Sequence, residues 1–214
     1  MSDASHSYQN RILLRHCLDS GRLLIGQILL GKDYSLRHCD DVERLDLNLH
    51  TSASDAREIA RYDEKGVFRP LKTAPNLRRG WLLRLSSLEE MELALEYLYP
   101  SALGLWNAFL NKKLHATSMT ETLNRQTGMY RITQLLTPQQ AGALVARCCT
   151  SDGGCLRSIL WDRAPGEPLS TLPSSKLSLD DFPAERIPLI CRELCNLVVA
   201  AARPIAKGNL PKKT

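Results

Sequence analysis

Five of the seven cysteines fall in the last third of the chain, as Cys148-Cys149, then Cys155, then Cys191 and Cys195. This distribution constrains the fold more than any other feature. Two short thiol clusters on either side of a long connection are how a chain encloses a soft metal, and four thiolates suffice for one ion or one iron–sulfur cluster. Cys17 and Cys39 stand alone and distant, and read as small buried apolar residues, the usual role of an unligated cysteine. An odd cysteine count does not suit a fully paired disulfide framework. The polar start Met1-Ser2-Asp3-Ala4 leads into Arg11 and Arg15 rather than an apolar signal core. The expected compartment is therefore cytoplasmic, where thiols stay reduced.

At 43% hydrophobic and 24% charged, the 214-residue chain has enough apolar content for one large or two small cores and an ordinary soluble surface. No segment has the apolar length of a membrane span. The net charge of +5 is mild and partly carried by Lys207, Lys212 and Lys213, expected to be a solvated tail. No aromatic-rich basic motif accompanies it, so neither nucleic acid nor membrane is an expected partner.

Apolar periodicity predicts a helix over 9–19, strands over 22–30 and 34–38 joined at Gly31-Lys32-Asp33, and a strand over 44–50 burying Leu45, Leu47 and Leu49. A helix over 55–62, a proline-bearing loop over 68–75 and a strand over 81–85 follow. Ser86 or Ser87 caps the next helix, whose first turn holds Glu89 and Glu90 and which buries Leu88, Met91, Leu95 and Leu98. A helix over 101–114 presents Leu103, Trp106 and Leu110. Further on, the Thr127-Gly128 turn leads to a strand over 129–133. Thr137-Pro138 opens a helix to about Cys148, with Ala141, Leu144, Val145 and Cys148 on one stripe. Gly153-Gly154 breaks the chain before a strand over 156–161, residues 163–188 carry five prolines and read as a long loop, and a helix covers 191–203. The fold class is α+β: an antiparallel sheet with packed helices over about 1–115, then a cysteine-ligated portion over 116–214.

Cys191 and Cys195 either share one face of the last helix, a turn apart, or lie in its entry loop and first turn. Both arrangements bring thiols to a helix N-terminus, which favours anionic ligands. Cys155 follows two glycines, which free the backbone to bend toward a ligand. Cys149, at the frayed end of its helix, is the preferred partner, with Cys148 the alternative. Zinc and a cubane cluster both remain open on spacing: Cys191/Cys195 suits zinc, whereas Cys149/Cys155 is wide for it.

Several stretches, in order, carry a resemblance. They are Leu36-Arg37-His38 with Asp40-Asp41, Ala60-Arg61-Tyr62-Asp63, Phe68-Arg69-Pro70-Leu71, Leu77-Arg78-Arg79-Gly80-Trp81, Tyr99-Pro100, Arg125-Gln126-Thr127-Gly128-Met129-Tyr130, Cys155-Leu156 with Leu160-Trp161, and Cys191-Arg192-Glu193-Leu194-Cys195-Asn196. Together they resemble the 4Fe–4S cluster-binding domain family associated with sirohydrochlorin cobaltochelatase-like (CbiX-type) proteins. The chain departs from the family pattern in having Leu194 where a proline is expected. The resemblance implies one [4Fe–4S] cluster on Cys149 (or Cys148), Cys155, Cys191 and Cys195. At this length it implies a stand-alone cluster protein, not a chelatase, with a redox partner or a chelatase-like enzyme to serve.

The expected function is thus cluster binding with a redox or electron-transfer role, linked to tetrapyrrole metabolism only through domain partnership. A structural zinc-binding interaction protein and a tetrapyrrole-modifying enzyme are the alternatives. Arg69, Arg78, Arg79 and Arg125, with His38, form a candidate anionic-ligand site for a tetrapyrrole carboxylate, since the arginine fork matches carboxylate geometry. The plainer reading is solvated arginines and a hydrogen-bonded surface cluster of Arg37, His38 and Asp41. Trp81, Trp106 and Trp161 read as core, with Trp161 and Leu197 as candidates to shield the cluster. No phosphate loop, dinucleotide fingerprint or nucleophile elbow is present.

Overall fold

The computed structural model describes residues 3–21, 23–62, 65–67, 77–114, 117–149, 157–159, 161–164, 167–168, 186–192 and 194–209. For residues 3–7, 157–168 and 209 the description concerns backbone only. The chain divides into two compact units, Met1–Leu114 with Phe182–Leu189, and His115–Asp181 with Ile190–Thr214. Among the described residues no helix is long and apolar enough to cross a membrane.

The first unit is α+β. Helix α1 (Asp3–Asp19) is followed by strands β1 (Leu24–Ile25), β2 (Ile28–Leu30) and β3 (Ser35–His38). The expected single strand over 22–30 is folded back on itself at Gly26-Gln27, so that Ile25 faces Ile28 across an antiparallel pair. Gly26 adopts φ +55°, and an added Cβ there would stand 2.8 Å from the Tyr99 ring. Only glycine fits both conditions. The Tyr99 hydroxyl accepts the Gln27 N–H at 3.1 Å, and the Gln27 carboxamide oxygen accepts from Leu77 N at 2.9 Å. The apolar run of the sequence hid this turn, because residues on both sides of it are buried.

Strand β4 (Asn48–His50), helix α2 (Asp55–Arg61) and strand β5 (Trp81–Arg84) come next. A helical crossover returns a strand parallel to the one it left, and β4 pairs parallel with β5. A strand from after the second unit's excursion, Arg186–Ile187 (termed β10 below), also pairs parallel with β1. The sheet is therefore mixed, in the order β10-β1-β2-β3-β5-β4, rather than wholly antiparallel. The expected buried face of residues 44–50 is absent: Leu45 is fully exposed and Leu49 is 57% exposed. Only Asn48–His50 of that stretch is strand, at the edge of the sheet.

Helices α3 (Leu88–Leu98) and α4 (Ala102–Leu110) complete this unit. Ser87 caps α3 by accepting from Glu90 N, while the Glu90 carboxylate accepts from Ser86 N and Oγ. Helix α3 packs on α1, α2 and α4, burying Leu88, Met91, Leu95 and Leu98 as its periodicity predicts. Trp81, Trp106 and Cys17 are core residues.

After α4 the chain runs through β6 (Thr117–Ser118), α5 (Met119–Asn124), a 3-10 helix (Gly128–Leu135), α6 (Pro138–Cys148), β7 (Arg157–Ile159), β8 (Trp161–Ala164), β9 (Glu167–Pro168), β10 (Arg186–Ile187), β11 (Leu189–Cys191) and α7 (Asn196–Asn209); of these β10 belongs to the first unit, and the second unit resumes at Ile190 within β11. The order β6-β8-β9 forms one small sheet, and β11 pairs with β7 in another. Strands β8 and β9 thus occupy part of the segment read as an unstructured loop; the rest of 163–185 lies outside the described residues, as does the loop over 68–75. The expected strand over 129–133 is the 3-10 helix, which packs on α7. Gly128 at φ +56° turns the chain into it, and Tyr130 N donates to Thr127 O. Helix α6 has a complete capping box: Thr137 accepts from Gln140 N and Gln140 accepts from Thr137 N. Lys207 belongs to the last turn of α7 rather than to a tail.

Candidate metal centre

The thiols sit at the ends of elements. Cys148 closes α6 on its buried stripe with Ala141, Leu144 and Val145. Cys149 is the C-cap, out of helical geometry at φ −109°, ψ 12°, its N–H donating to Val145 O at 2.9 Å. Cys191 is the last residue of β11. The predicted helix over 191–203 therefore begins late: the Leu189-Ile190-Cys191 run is apolar and β-rich, and it pairs as a strand. Cys195 immediately precedes α7, and its carbonyl accepts from Val199 N at 3.0 Å, so its backbone caps that helix. Neither arrangement weighed from the sequence is met in full: Cys191 ends a strand rather than lying in the entry loop, and Cys195 stands just before α7 rather than in its first turn. Cys155 lies outside the described residues.

One apolar cluster gathers these positions. Cys148 and Cys149 are buried in it with Met119, Leu123, Leu144, Val145, Leu194, Val198 and Ala202, and half-buried Cys191 and Cys195 pack against it. Leu194, standing where a proline is expected, anchors the Cys191–Cys195 loop by burying its side chain. Thiols held at element ends against an apolar wall, two of them buried and two partly open, suit a group that needs several thiolate donors and exclusion of water.

Two polar contacts brace the same loop. Arg125 Nη2 donates to the carbonyl of Arg192 at 2.8 Å, and the Tyr130 hydroxyl donates to Asn196 Oδ1. Neither Tyr130 nor Asn196 carries a role in the sequence reading, although both fall in stretches that bear the resemblance. Side-chain contacts between segments 66 residues apart leave no periodic signal.

The candidate anionic-ligand residues have structural engagements. Arg79 pairs with Asp40 at 2.8 Å, and Arg78 is exposed while its carbonyl accepts from Trp81 Nε1. Arg125 belongs to the other unit, where it meets Arg192 and, at 3.9 Å, Glu121. Arg69 lies outside the described residues. His38 is fully buried, not part of a surface cluster: its Nδ1 accepts from Asp40 N at 3.1 Å and caps the short 3-10 helix Cys39–Asp41. Asp41 is buried too, accepting from Gly80 N at 2.6 Å and from Arg44 at 3.4 Å. The residues read as a ligand edge thus tie the 39–44 turn to the start of β5.

His38, Cys39 and Asp40 bring three potential metal-ligand atoms within 4.8 Å of one another. Burial, then the adjacent Asp40 carboxylate, raises the Cys39 thiol above its ordinary range, and the thiol donates to Asp40 at 3.6 Å. A neutral thiol, a capping imidazole and a carboxylate paired with Arg79 account for one another without an ion. Trp161 lies in β8, and Leu197 occupies the first turn of α7, partly exposed.

Residues 111–204 match the model of the 4Fe–4S iron–sulfur cluster binding domain, and residues 6–109 match that of the DR2241 stabilising domain. Among solved structures, the chain is similar to DR2241 from Deinococcus radiodurans, described as a multi-domain protein with structural similarity to chelatases and two additional novel domains. The TM-score is 0.73 at 31% identity, covering 95% of this chain and 42% of that one. No curated protein sequence matches.

Proposed function

We propose, for a chain whose residues 111–204 belong to the 4Fe–4S iron–sulfur cluster binding domain family and whose residues 6–109 belong to the DR2241 stabilising domain family, that Cys149, Cys155, Cys191 and Cys195 hold its [4Fe–4S] cluster for electron transfer to a partner enzyme. The observation that carries this reading is the gathering of Cys149, Cys191 and Cys195 on one apolar cluster from three different element ends. Bound there, the cluster supplies one-electron redox chemistry, with a potential governed by exposure, charge and hydrogen bonds to its sulfurs. The chain's own part is to present thiolates, to cover one side with Leu194, Val198 and Met119, and to leave the Cys191–Cys195 loop accessible to a partner. Cys149 is preferred to Cys148 because it is the C-cap, already out of helical geometry, whereas Cys148 continues the α6 stripe; both side chains are buried in the same apolar cluster.

Anaerobic purification with visible spectroscopy and metal analysis tests this. A brown protein with about four irons per chain is expected; a colourless protein with one zinc would end the proposal. The tetrapyrrole context rests on the DR2241 likeness to chelatases, and this chain spans 42% of that protein. A titration with a sirohydrochlorin-like tetrapyrrole addresses it: saturable binding supports a shared pocket, and its absence leaves the redox reading with a separate partner.

A further inference from the structure

Arg125 and Tyr130 stand five residues apart on either side of Gly128, whose φ of +56° sets the turn between them. They reach the two ends of one loop. Arg125 binds the carbonyl of Arg192, the residue after Cys191, and Tyr130 binds the side chain of Asn196, the residue after Cys195. The segment that supplies them is itself braced. Gln126 is buried and donates to Thr122 O at 2.6 Å, while Gln134 Nε2 donates to both Asn124 O and Gln126 O at 3.0 Å. Thr133 Oγ1 donates to Tyr130 O at 2.8 Å, and Glu121 flanks the Arg125 guanidinium. The segment so braced directs two polar side chains at the Arg192 carbonyl and the Asn196 carboxamide, each next to a thiol.

We infer that Arg125 and Tyr130 are positioning residues that clamp the Cys191–Cys195 loop and set the orientation of its two thiolates toward the cluster. This rests on the reading that Cys191 and Cys195 are ligands. The guanidinium has a second effect. With donors on the Arg192 carbonyl, it fixes a positive charge beside the ligand loop, and net charge near a cluster is one of the levers on its potential. Lysine keeps that charge but lacks the planar fork, so the two contributions separate by substitution.

Arg125→Gln, Arg125→Lys and Tyr130→Phe are made in the full chain, with Cys195→Ser as the ligand-loss reference and Arg203→Gln, an exposed change on α7, as the control. Each protein is purified anaerobically, and iron per chain, release of iron to a chelator, the reduced-state EPR spectrum and the unfolding midpoint of the cluster-free form are measured. Arg125→Gln and Tyr130→Phe are expected to release iron at least about tenfold faster than the unaltered chain, the scale of a lost ligand-orienting contact. Their EPR spectra shift while the cluster-free midpoint stays put, and Arg125→Lys restores part of the Arg125→Gln defect. If Arg125→Gln takes up no iron at all while Arg125→Lys does, the clamp is equally supported. Release rates and spectra equal to those of the unaltered chain in both clamp variants overturn it, as does a rate change matched by an equal fall in cluster-free stability. Full iron in Cys195→Ser removes the ligand reading and the clamp together; iron loss there with unaltered clamp variants removes the clamp alone.

Discussion

The largest fully buried side chains among the described residues, from Trp81, Trp106 and Tyr99 to Leu14, Met91 and Leu95, all lie in the first unit. Among the described residues, the second unit's apolar cluster is built from leucines, valines, alanines, one methionine and the cysteines. The second unit places thiols at the junctions of α6, β11 and α7, where an inorganic group would tie three elements at once. A metal-assisted core of this type gains part of its folding energy from ligand binding. The first unit falls in the stretch that matches the DR2241 stabilising domain model, and the proposed cluster falls to the second.

The sharpest way to break this contrast is to remove a ligand. Cys195→Ser and Cys155→Ser are expected to abolish iron binding and to loosen the second unit, read by metal analysis and limited proteolysis. Cys17→Ser, in the core of the first unit, should keep its iron, and loss of iron there would contradict the assignment. Next in size, Leu95→Ala, at a fully buried site on α3, should lower unfolding stability by about 2–5 kcal/mol in denaturant without changing iron per chain. Gly26→Ala should follow at about 1–3 kcal/mol, because φ +55° and the Tyr99 ring both oppose a methyl group; Tyr99→Leu in the same chain should relieve the steric part. The smallest effect sharpens the second unit instead: Thr137→Ala, which removes the α6 capping box, should cost about 1 kcal/mol and show more clearly in the cluster-free protein.

Helices with strong periodicity were legible from sequence: α3 and α6 form with the expected buried faces and caps, because local propensity, capping and tertiary burial agree there. The strands were less so. In the run Leu23–Leu30 only Gly26-Gln27 interrupts the apolar residues, and the turn there packs against Tyr99, 73 positions away. The parallel pairs β4/β5 and β1/β10 depend on crossover connections rather than on any local pattern. Residues 129–133 have strand composition, but packing on α7 makes them 3-10 helix. Of the candidate site, the cysteine positions could be seen in the sequence because thiol spacing is itself the signal. The roles of His38, Asp41 and Arg79 could not, since a buried cap and an ion pair look the same in sequence as a ligand-reading edge. The clamp on Arg192 and Asn196 was hidden for the same reason.

The measurement that bears most directly on the division of labour is hydrogen exchange on the anaerobically purified, cluster-loaded protein before and after the iron is removed with a chelator. Exchange is predicted to accelerate at the end of α6, through Cys191–Asn196 and along the first turns of α7, while the strands β1 to β5 and helix α3 keep their protection. Unchanged protection in the second unit, or an equal loss in both units, would contradict a fold in which one half is held by side chains and the other by its thiol-bound cluster.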